Sequence, residues 1–414
     1  MSFLTDKNEN AQHLLMGNEA IVRGALEAGV SVAAGYPGTP SSEIIERLSE
    51  VAEERNLYVE WSTNEKVAVE VAAAASFAGL RSLCVMKQNG VNVASDFLLH
   101  LASSGTRGGM VLVTCDDPGA LSSVNEGESR LFARLLEIPL LEPGDFQEAK
   151  DIMPFAFQLS EDIRNIVMVR SVTRLSHASG NVRYGSLPDR ADRAEFFFHG
   201  PLLDPDTGPV ISMIVAAPER QHGPQQEKLK KAAERFETCP FNTYQGPEKP
   251  ELLLITSSAC SLYSAEARRI LDLEDRAGIL KMATTWPLPE RFLKKHLAAA
   301  QKILFVEEVA PTLEDHVKAL AAEWGDEIGH KTFFGKKSGH IPSVGELNPD
   351  LVLSALSRIF GIPYEAVPED FSREVKNLSE GFAPPRGMTF CPGCPHRASY
   401  WSIHNALKLD GRGG

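Results

Sequence analysis

Val30-Ser31-Val32-Ala33-Ala34-Gly35-Tyr36-Pro37-Gly38-Thr39-Pro40-Ser41-Ser42-Glu43 is the stretch from which the fold is read. Val30 to Gly35 is a short apolar run, and the two prolines and the glycine that follow exclude regular structure, so a buried strand must end at Gly35. Ser41 or Ser42 then caps a helix to about Arg55, and Leu57 to Trp61 supplies the next strand. Upstream, Asn18 is placed to cap a helix from Glu19 to about Ala28, closed by Gly29. Downstream the alternation repeats: helix Glu65 to Phe77, strand Ser82 to Lys87, loop Gln88-Asn89-Gly90, helix Val91 to Ser103 and strand Met110 to Thr114. A helix from about Phe146 to Glu161 and a strand from Ile166 to Arg170 complete it. Such repetition predicts an α/β fold, a parallel sheet covered on both faces.

This first domain is expected to cover residues 1–175. From 176 to 250 the composition turns to Gly, Pro, His, Gln and charge, with only brief apolar pieces such as Val210 to Ala216, and reads as a connecting segment. Between 251 and 360 strands and helices alternate again, which predicts a second, smaller α/β domain. Residues 361–386 have linker chemistry, and 387–414 begin a further element that the sequence does not finish.

Hydrophobic residues make up 43% and charged residues 23% of 414, ordinary globular usage that excludes a disordered or fibrous chain. With 55 acidic against 42 basic side chains the formal charge is −13, which repels phosphate backbones and argues against nucleic acid as a partner. Apolar stretches such as Val67 to Gly79 are too short for a bilayer of roughly 30 Å, so no membrane partner is expected. The first eighteen residues carry Asp6 and Glu9 rather than a basic and then apolar leader, and four of the five intervals between the six cysteines are long. A reducing, cytoplasmic location is expected.

Three features can carry chemistry. The turn at Pro37, Gly38 and Thr39 stands where a parallel strand ends and a helix offers unpaired N–H groups, a common place for ligands, although a rigid helix cap would look the same. It has neither the lysine of a phosphate loop nor the spacing of a dinucleotide fingerprint. Glu65 opens a helix of valines and alanines; first-turn acids suit the helix dipole, yet a carboxylate at the mouth of so apolar a helix can also share a proton with a ligand nitrogen. Glu70, one turn on, is the competing carboxylate. Finally, Cys391-Pro392-Gly393-Cys394-Pro395-His396-Arg397 offers half of a metal or iron–sulfur ligand set, with no second pair to complete it, so no metal site is expected within this chain.

Taken in order, these motifs resemble the thiamine diphosphate-dependent 2-oxoacid:ferredoxin oxidoreductases, and within that family the alpha subunits of its indolepyruvate branch. The likeness also runs through Met86-Lys87 to Gly90-Val91-Asn92, Arg170 with Thr173-Arg174 and Ser176-His177, Thr285-Trp286-Pro287-Leu288-Pro289 and Gly345-Glu346-Leu347. It implies that residues 1–175 form the pyrimidine-binding domain of thiamine diphosphate and 251–360 a transketolase C-terminal-like domain, with 387–414 starting a diphosphate-binding domain. Glu65 then matches the carboxylate that hydrogen-bonds the aminopyrimidine ring nitrogen and so activates the cofactor. Pro37, Gly38 and Thr39 match the cofactor turn, Thr39 also touching substrate. Gly90 matches a loop glycine that lets backbone approach the cofactor, and Cys394 and His396 match further cofactor contacts.

The resemblance further implies oxidative decarboxylation of an aryl 2-oxo acid such as indolepyruvate with coenzyme A, giving arylacetyl-CoA and CO2, with electrons passing to ferredoxin. A beta subunit and a dimer of alpha subunits are the implied partners. Two departures stand out. Some relatives place an arginine for the substrate carboxylate just after the strand ending at Thr114, where this chain has Cys115, Asp116 and Asp117. Arg174 and His177 are the candidate substitutes, and both are equally placed for structural work. Family alpha subunits also continue into residues that hold Mg2+ and [4Fe-4S] clusters, whereas this sequence ends at Gly414. The chain is then a truncated piece, or one partner of a split enzyme whose remainder is supplied separately, or else a scaffold that keeps the fold without the chemistry; a thiamine enzyme that transfers its acyl group without ferredoxin is a further expectation.

Overall fold

The computed structural model describes residues 2–189, 193–196, 218–365, 367–382, 390 and 393–411. They fall into two units, Met1–Tyr364 and Glu365–Gly414. In chain order the strands are β1 (Gln12–Met16), β2 (Val32–Gly35), β3 (Tyr58–Trp61), β4 (Ser82–Lys87), β5 (Met110–Asp116), β6 (Leu140–Leu141) and β7 (Val167–Val172). Then follow β8 (Ser179–Arg183), β9 (Thr243–Gln245), β10 (Leu252–Thr256), β11 (Ala277–Lys281), β12 (Thr284–Trp286), β13 (Lys302–Val306) and β14 (Thr332–Phe334).

Among the described residues the first unit holds a seven-stranded sheet of order β12-β6-β7-β5-β4-β2-β3. Every residue of β5 and of β7 is buried, the mark of parallel strands covered on both faces. Alternate side chains feed opposite cores: Val111, Val113 and Cys115 join helices Gly17–Glu27, Ser42–Glu50 and Phe146–Ile163, while Met110 and Leu112 join helices Glu65–Phe77, Gln88–Ser104 and Ser129–Leu136. The chain runs from β2 outward to β3 and then returns to the other side of β2 for β4 and β5. Open α/β sheets take their ligands in the crevice outside such a reversal, here the carboxyl ends of β2 and β4.

A second sheet, β14-β13-β10-β11-β9, packs helices Cys260–Ile270 and Pro349–Phe360 on one face and Glu290–Ala299 and Thr312–Glu323 on the other. Between its strands β11 and β13 the chain leaves to add β12 antiparallel to β6, pairing Thr284 with Leu141 and Trp286 with Leu140. The first sheet is thus finished by residues from beyond position 250.

Several expectations change. Residues 176–250 carry structure: β8 pairs antiparallel with β1, helix Pro218–Phe236 packs on the first sheet's helices through Gln225, Ala232 and Phe236, and β9 edges the second sheet. Val210 to Ala216 lies outside the described residues. Asn18 does not cap its helix but sits inside it, fully buried, because Glu19 takes that task by accepting the Met16 N–H at 2.9 Å. Gln88, Asn89 and Gly90 form no loop; they are the first turn of helix Gln88–Ser104. In the second unit the linker stretch contains helix Glu369–Phe382, none of whose residues is buried, and helix Pro395–Leu409 follows. No described helix is long and apolar enough to cross a membrane.

Candidate active site

The crevice is built from three strand ends. After β2 the turn is closed on itself: the Gly38 N–H donates to Ser42 Oγ at 2.9 Å, and Ser41 Oγ donates to Gly38 O at 2.7 Å. Asn18 Nδ2 holds it from beneath, donating to Pro40 O and to Glu43 Oε2, both at 2.8 Å. Thr39 is left half-buried on the crevice side, and the Thr39–Pro40 peptide is cis.

After β3, Asn64 accepts the Val67 N–H at 3.0 Å and starts helix Glu65–Phe77, as its side-chain chemistry favours. Glu65 is half-buried, and among the described residues its carboxylate has no hydrogen-bond or ion-pair partner. It lies against Gly90, where an added Cβ would come within 2.5 Å of Glu65 Cγ and 2.8 Å of Oε1. Gly90 therefore makes room for the carboxylate itself. Glu70 is exposed.

β4 ends on Lys87, whose stem packs on Gly38: a Cβ there would stand 3.0 Å from Lys87 Cδ. Its ammonium donates to Ser123 Oγ at 3.1 Å and Ser122 O at 3.4 Å. Gln88 follows, with Nε2 on Ser123 Oγ at 3.2 Å and its buried Oε1 without a partner among the described residues.

The acids after β5 have structural tasks. Asp117 accepts the Ser122 N–H at 2.7 Å and Thr173 Oγ1 at 2.8 Å, which fixes the loop that carries Ser122 and Ser123. Asp116 is fully buried and pairs with Arg170 Nε at 2.6 Å; Arg170 Nη1 also reaches Glu142 at 2.6 Å. Arg130 joins the network, binding Glu128 at 2.7 Å, Glu307 at 2.8 Å and the Glu308 carbonyl at 2.6 Å. Burial raises Asp116 above the ordinary carboxyl range despite Arg170. Burial acts on Glu128 too, but Arg130 and Arg170 hold it down at about 2. Glu308 is pushed up to about 7 by burial, against the pull of Arg170.

Arg174 is about half exposed and pairs with Glu346 at 2.6 Å, and His177 Nε2 lies 3.4 Å from Glu43. Both candidate carboxylate partners thus face carboxylates of the chain itself. In the second unit Cys394 Sγ lies 3.3 Å from His396 Nδ1 at the start of helix Pro395–Leu409; Cys391 lies outside the described residues.

Residues 23–238, about half of the chain, match the family described as pyruvate flavodoxin/ferredoxin oxidoreductase, thiamine diphosphate-binding. The chain belongs to that family. It is 37% identical over 393 residues to the indolepyruvate oxidoreductase subunit IorA of Thermococcus kodakarensis, covering 95% of this chain and 59% of that one. With the same subunit of Methanothermobacter thermautotrophicus the identity is 38% over 414 residues, 99% of this chain and 63% of the relative. The chain therefore spans about three fifths of the length of these indolepyruvate oxidoreductase subunits. A solved 2-oxoglutarate:ferredoxin oxidoreductase from Magnetococcus marinus shares the fold, with TM-score 0.66 and 16% identity over 84% of this chain and 65% of that one.

The residues at these strand ends suit thiamine diphosphate: the Glu65 carboxylate has no partner among the described residues, Gly90 leaves room for it, and Gly38 and Thr39 stand at the end of the neighbouring strand. Sequence reading missed Lys87 and Gln88, although a charged residue ending an otherwise buried strand at the carboxyl edge was a usable signal.

Proposed function

We propose that this chain is the subunit of a 2-oxoacid:ferredoxin oxidoreductase that presents Glu65 to the aminopyrimidine of thiamine diphosphate, and that the assembled enzyme acts on aryl 2-oxo acids. The overall reaction would take one aryl 2-oxo acid and one coenzyme A to arylacetyl-CoA and CO2. Two electrons leave singly to two ferredoxins. The observation that carries this reading is the lone half-buried carboxylate of Glu65, opposed by Gly90 in the strand-reversal crevice. Bound there, the cofactor would supply a sink for the electron pair that departing CO2 leaves behind. Glu65 would hold a proton at the ring nitrogen, and Gly38 and Thr39 would flank the reacting end.

A beta subunit, a second alpha subunit, Mg2+ and [4Fe-4S] clusters complete the proposed assembly, the metals on residues outside this chain. The relatives named for indolepyruvate support the aryl class, and the aspartates at 116 and 117, committed to Arg170 and the following loop, leave no pyruvate-type arginine there. The test is ferredoxin reduction by the assembly purified from its source, supplied with thiamine diphosphate, Mg2+, coenzyme A and indole-3-pyruvate. Turnover that falls at least 100-fold in Glu65→Gln is expected. Absence of turnover with every aryl pyruvate would sink the proposal in favour of the scaffold reading.

A further inference from the structure

We propose that Lys87 is the anchor for the substrate's carboxylate, with the loop of residues 118–126 as the wall for its side group; this rests on the reading above. A 2-oxo acid brings an anion that must be met by a cation beside the reacting carbon. The described cations around the crevice are mostly committed. Arg130 and Arg170 are buried in ion pairs, Lys66 pairs with Asp96 at 2.7 Å, Arg174 with Glu346, and His177 faces Glu43.

Lys87 differs from all of these. Its stem lies on Gly38, next to Thr39, and it precedes by three residues the Gly90 that faces Glu65. Among the described residues its ammonium has no carboxylate partner and only two oxygen acceptors, Ser123 Oγ at 3.1 Å and Ser122 O at 3.4 Å. An ammonium has three donors, so one remains for a ligand.

The surroundings favour an acid with an apolar side group over a phosphate. Leu121 and Val124, flanking the two serines that hold Lys87, are 68% and 93% exposed. The loop that presents them is not loose: Asp117 binds Ser122 N–H, and Glu126 Oε1 accepts the N–H groups of Gly119 at 2.6 Å and of Gly345 at 2.8 Å. Two large apolar side chains held in solvent beside a cation suit an aryl ring with a carboxylate at its end.

The experiment uses the complete assembly with Lys87→Met and Lys87→Arg. Indole-3-lactate, which keeps the carboxylate and lacks the 2-oxo carbon, and its methyl ester are titrated by calorimetry, and KM and kcat are measured with indole-3-pyruvate. In the unsubstituted assembly the acid should bind at least 10-fold tighter than the ester. Lys87→Met should abolish that preference and raise KM about 10- to 100-fold, the size of a charge-assisted hydrogen bond, with the loss mainly in KM. Lys87→Arg should restore part of both. An unchanged acid-over-ester preference in Lys87→Met overturns the proposal, as does lost thiamine diphosphate affinity with indole-3-lactate binding intact, which would make Lys87 a phosphate contact. If no aryl pyruvate is turned over, the enzymatic reading fails while the acid-over-ester comparison still decides the role of Lys87.

Discussion

Glu65 and Gly90 form a contact between residues 25 positions apart, and neither explains the other from sequence. The valines and alanines that follow made Glu65 readable as a first-turn acid, because the start of so apolar a helix is local information. Gly90 was read as a loop glycine beside the cofactor; it is helical, and the Glu65 side chain fills the space its missing Cβ leaves. A methyl group at position 90 would stand 2.5 Å from Glu65 Cγ, closer than packed atoms approach. Gly90→Ala should therefore destabilise by roughly 1–3 kcal/mol, although alanine is the better helix former. Removing the obstructing side chain in Glu65→Ala should return most of that loss in the double variant, since Glu65 has no hydrogen-bond or ion-pair partner among the described residues. Thermal unfolding of the four proteins in a double-mutant cycle measures the coupling, and additive effects would show that the two side chains do not meet.

Among the elements, those buried on both faces were legible and those that pack by a few residues were not. Helix Glu65–Phe77 and strand β4 have the bounds their apolar runs announce. Helix Pro218–Phe236 has a proline inside and a largely polar sequence, so its few packed positions leave no clear period. Strand β8 buries one residue of five, and its pairing with β1 is a main-chain event across 163 to 171 residues that side-chain pattern does not record. Asn18 shows the same limit. Its type suggested a cap, but its amide bridges helix Gly17–Glu27 to the turn of Pro40 and the helix of Glu43. Asn18→Ala strips both bonds and leaves a buried carbonyl unpaired, at a cost of about 1–3 kcal/mol. Because the strain falls on the turn bearing Thr39, cleavage by protease should begin within residues 36–43, with thiamine diphosphate slowing it in the native protein more than in the variant. Mass analysis of the first fragments reads this directly.

Across the whole first unit, the two sheets are joined by charge. Arg130 spans 177 residues to reach Glu307, and Arg170 brings Asp116 and Glu142 together under the crevice. In sequence Asp116 was noted only as standing where some relatives carry an arginine, and Glu142 and Glu307 drew no reading, because burial of a charge depends on a partner that only the tertiary fold supplies. Glu308 is the member whose charge is least compensated. Its Oε1 accepts only the Leu347 N–H, at 3.2 Å, and its Oε2 has no partner among the described residues. Arg170 and Arg130 attract it, Glu346 repels it, and Cys260 and Tyr263 lie within its field. Burial consequently raises it from 4.5 to about 7. Below pH 4.5 Glu308 is protonated in both folded and unfolded chains and costs nothing. Between 4.5 and 7 the folded chain holds the extra proton, so stability is lost as pH rises. Glu308→Gln keeps an acceptor for Leu347 and cannot ionise, so its advantage over the native protein should be small at pH 5 and approach about 3 kcal/mol at pH 8, at 1.36 kcal/mol per pH unit. Unfolding midpoints of the two proteins at both pH values measure the difference. A gap that stays constant with pH would mean that Glu308 ionises freely in the folded chain, and that the junction of the sheets tolerates its charge through Arg130 and Arg170 after all.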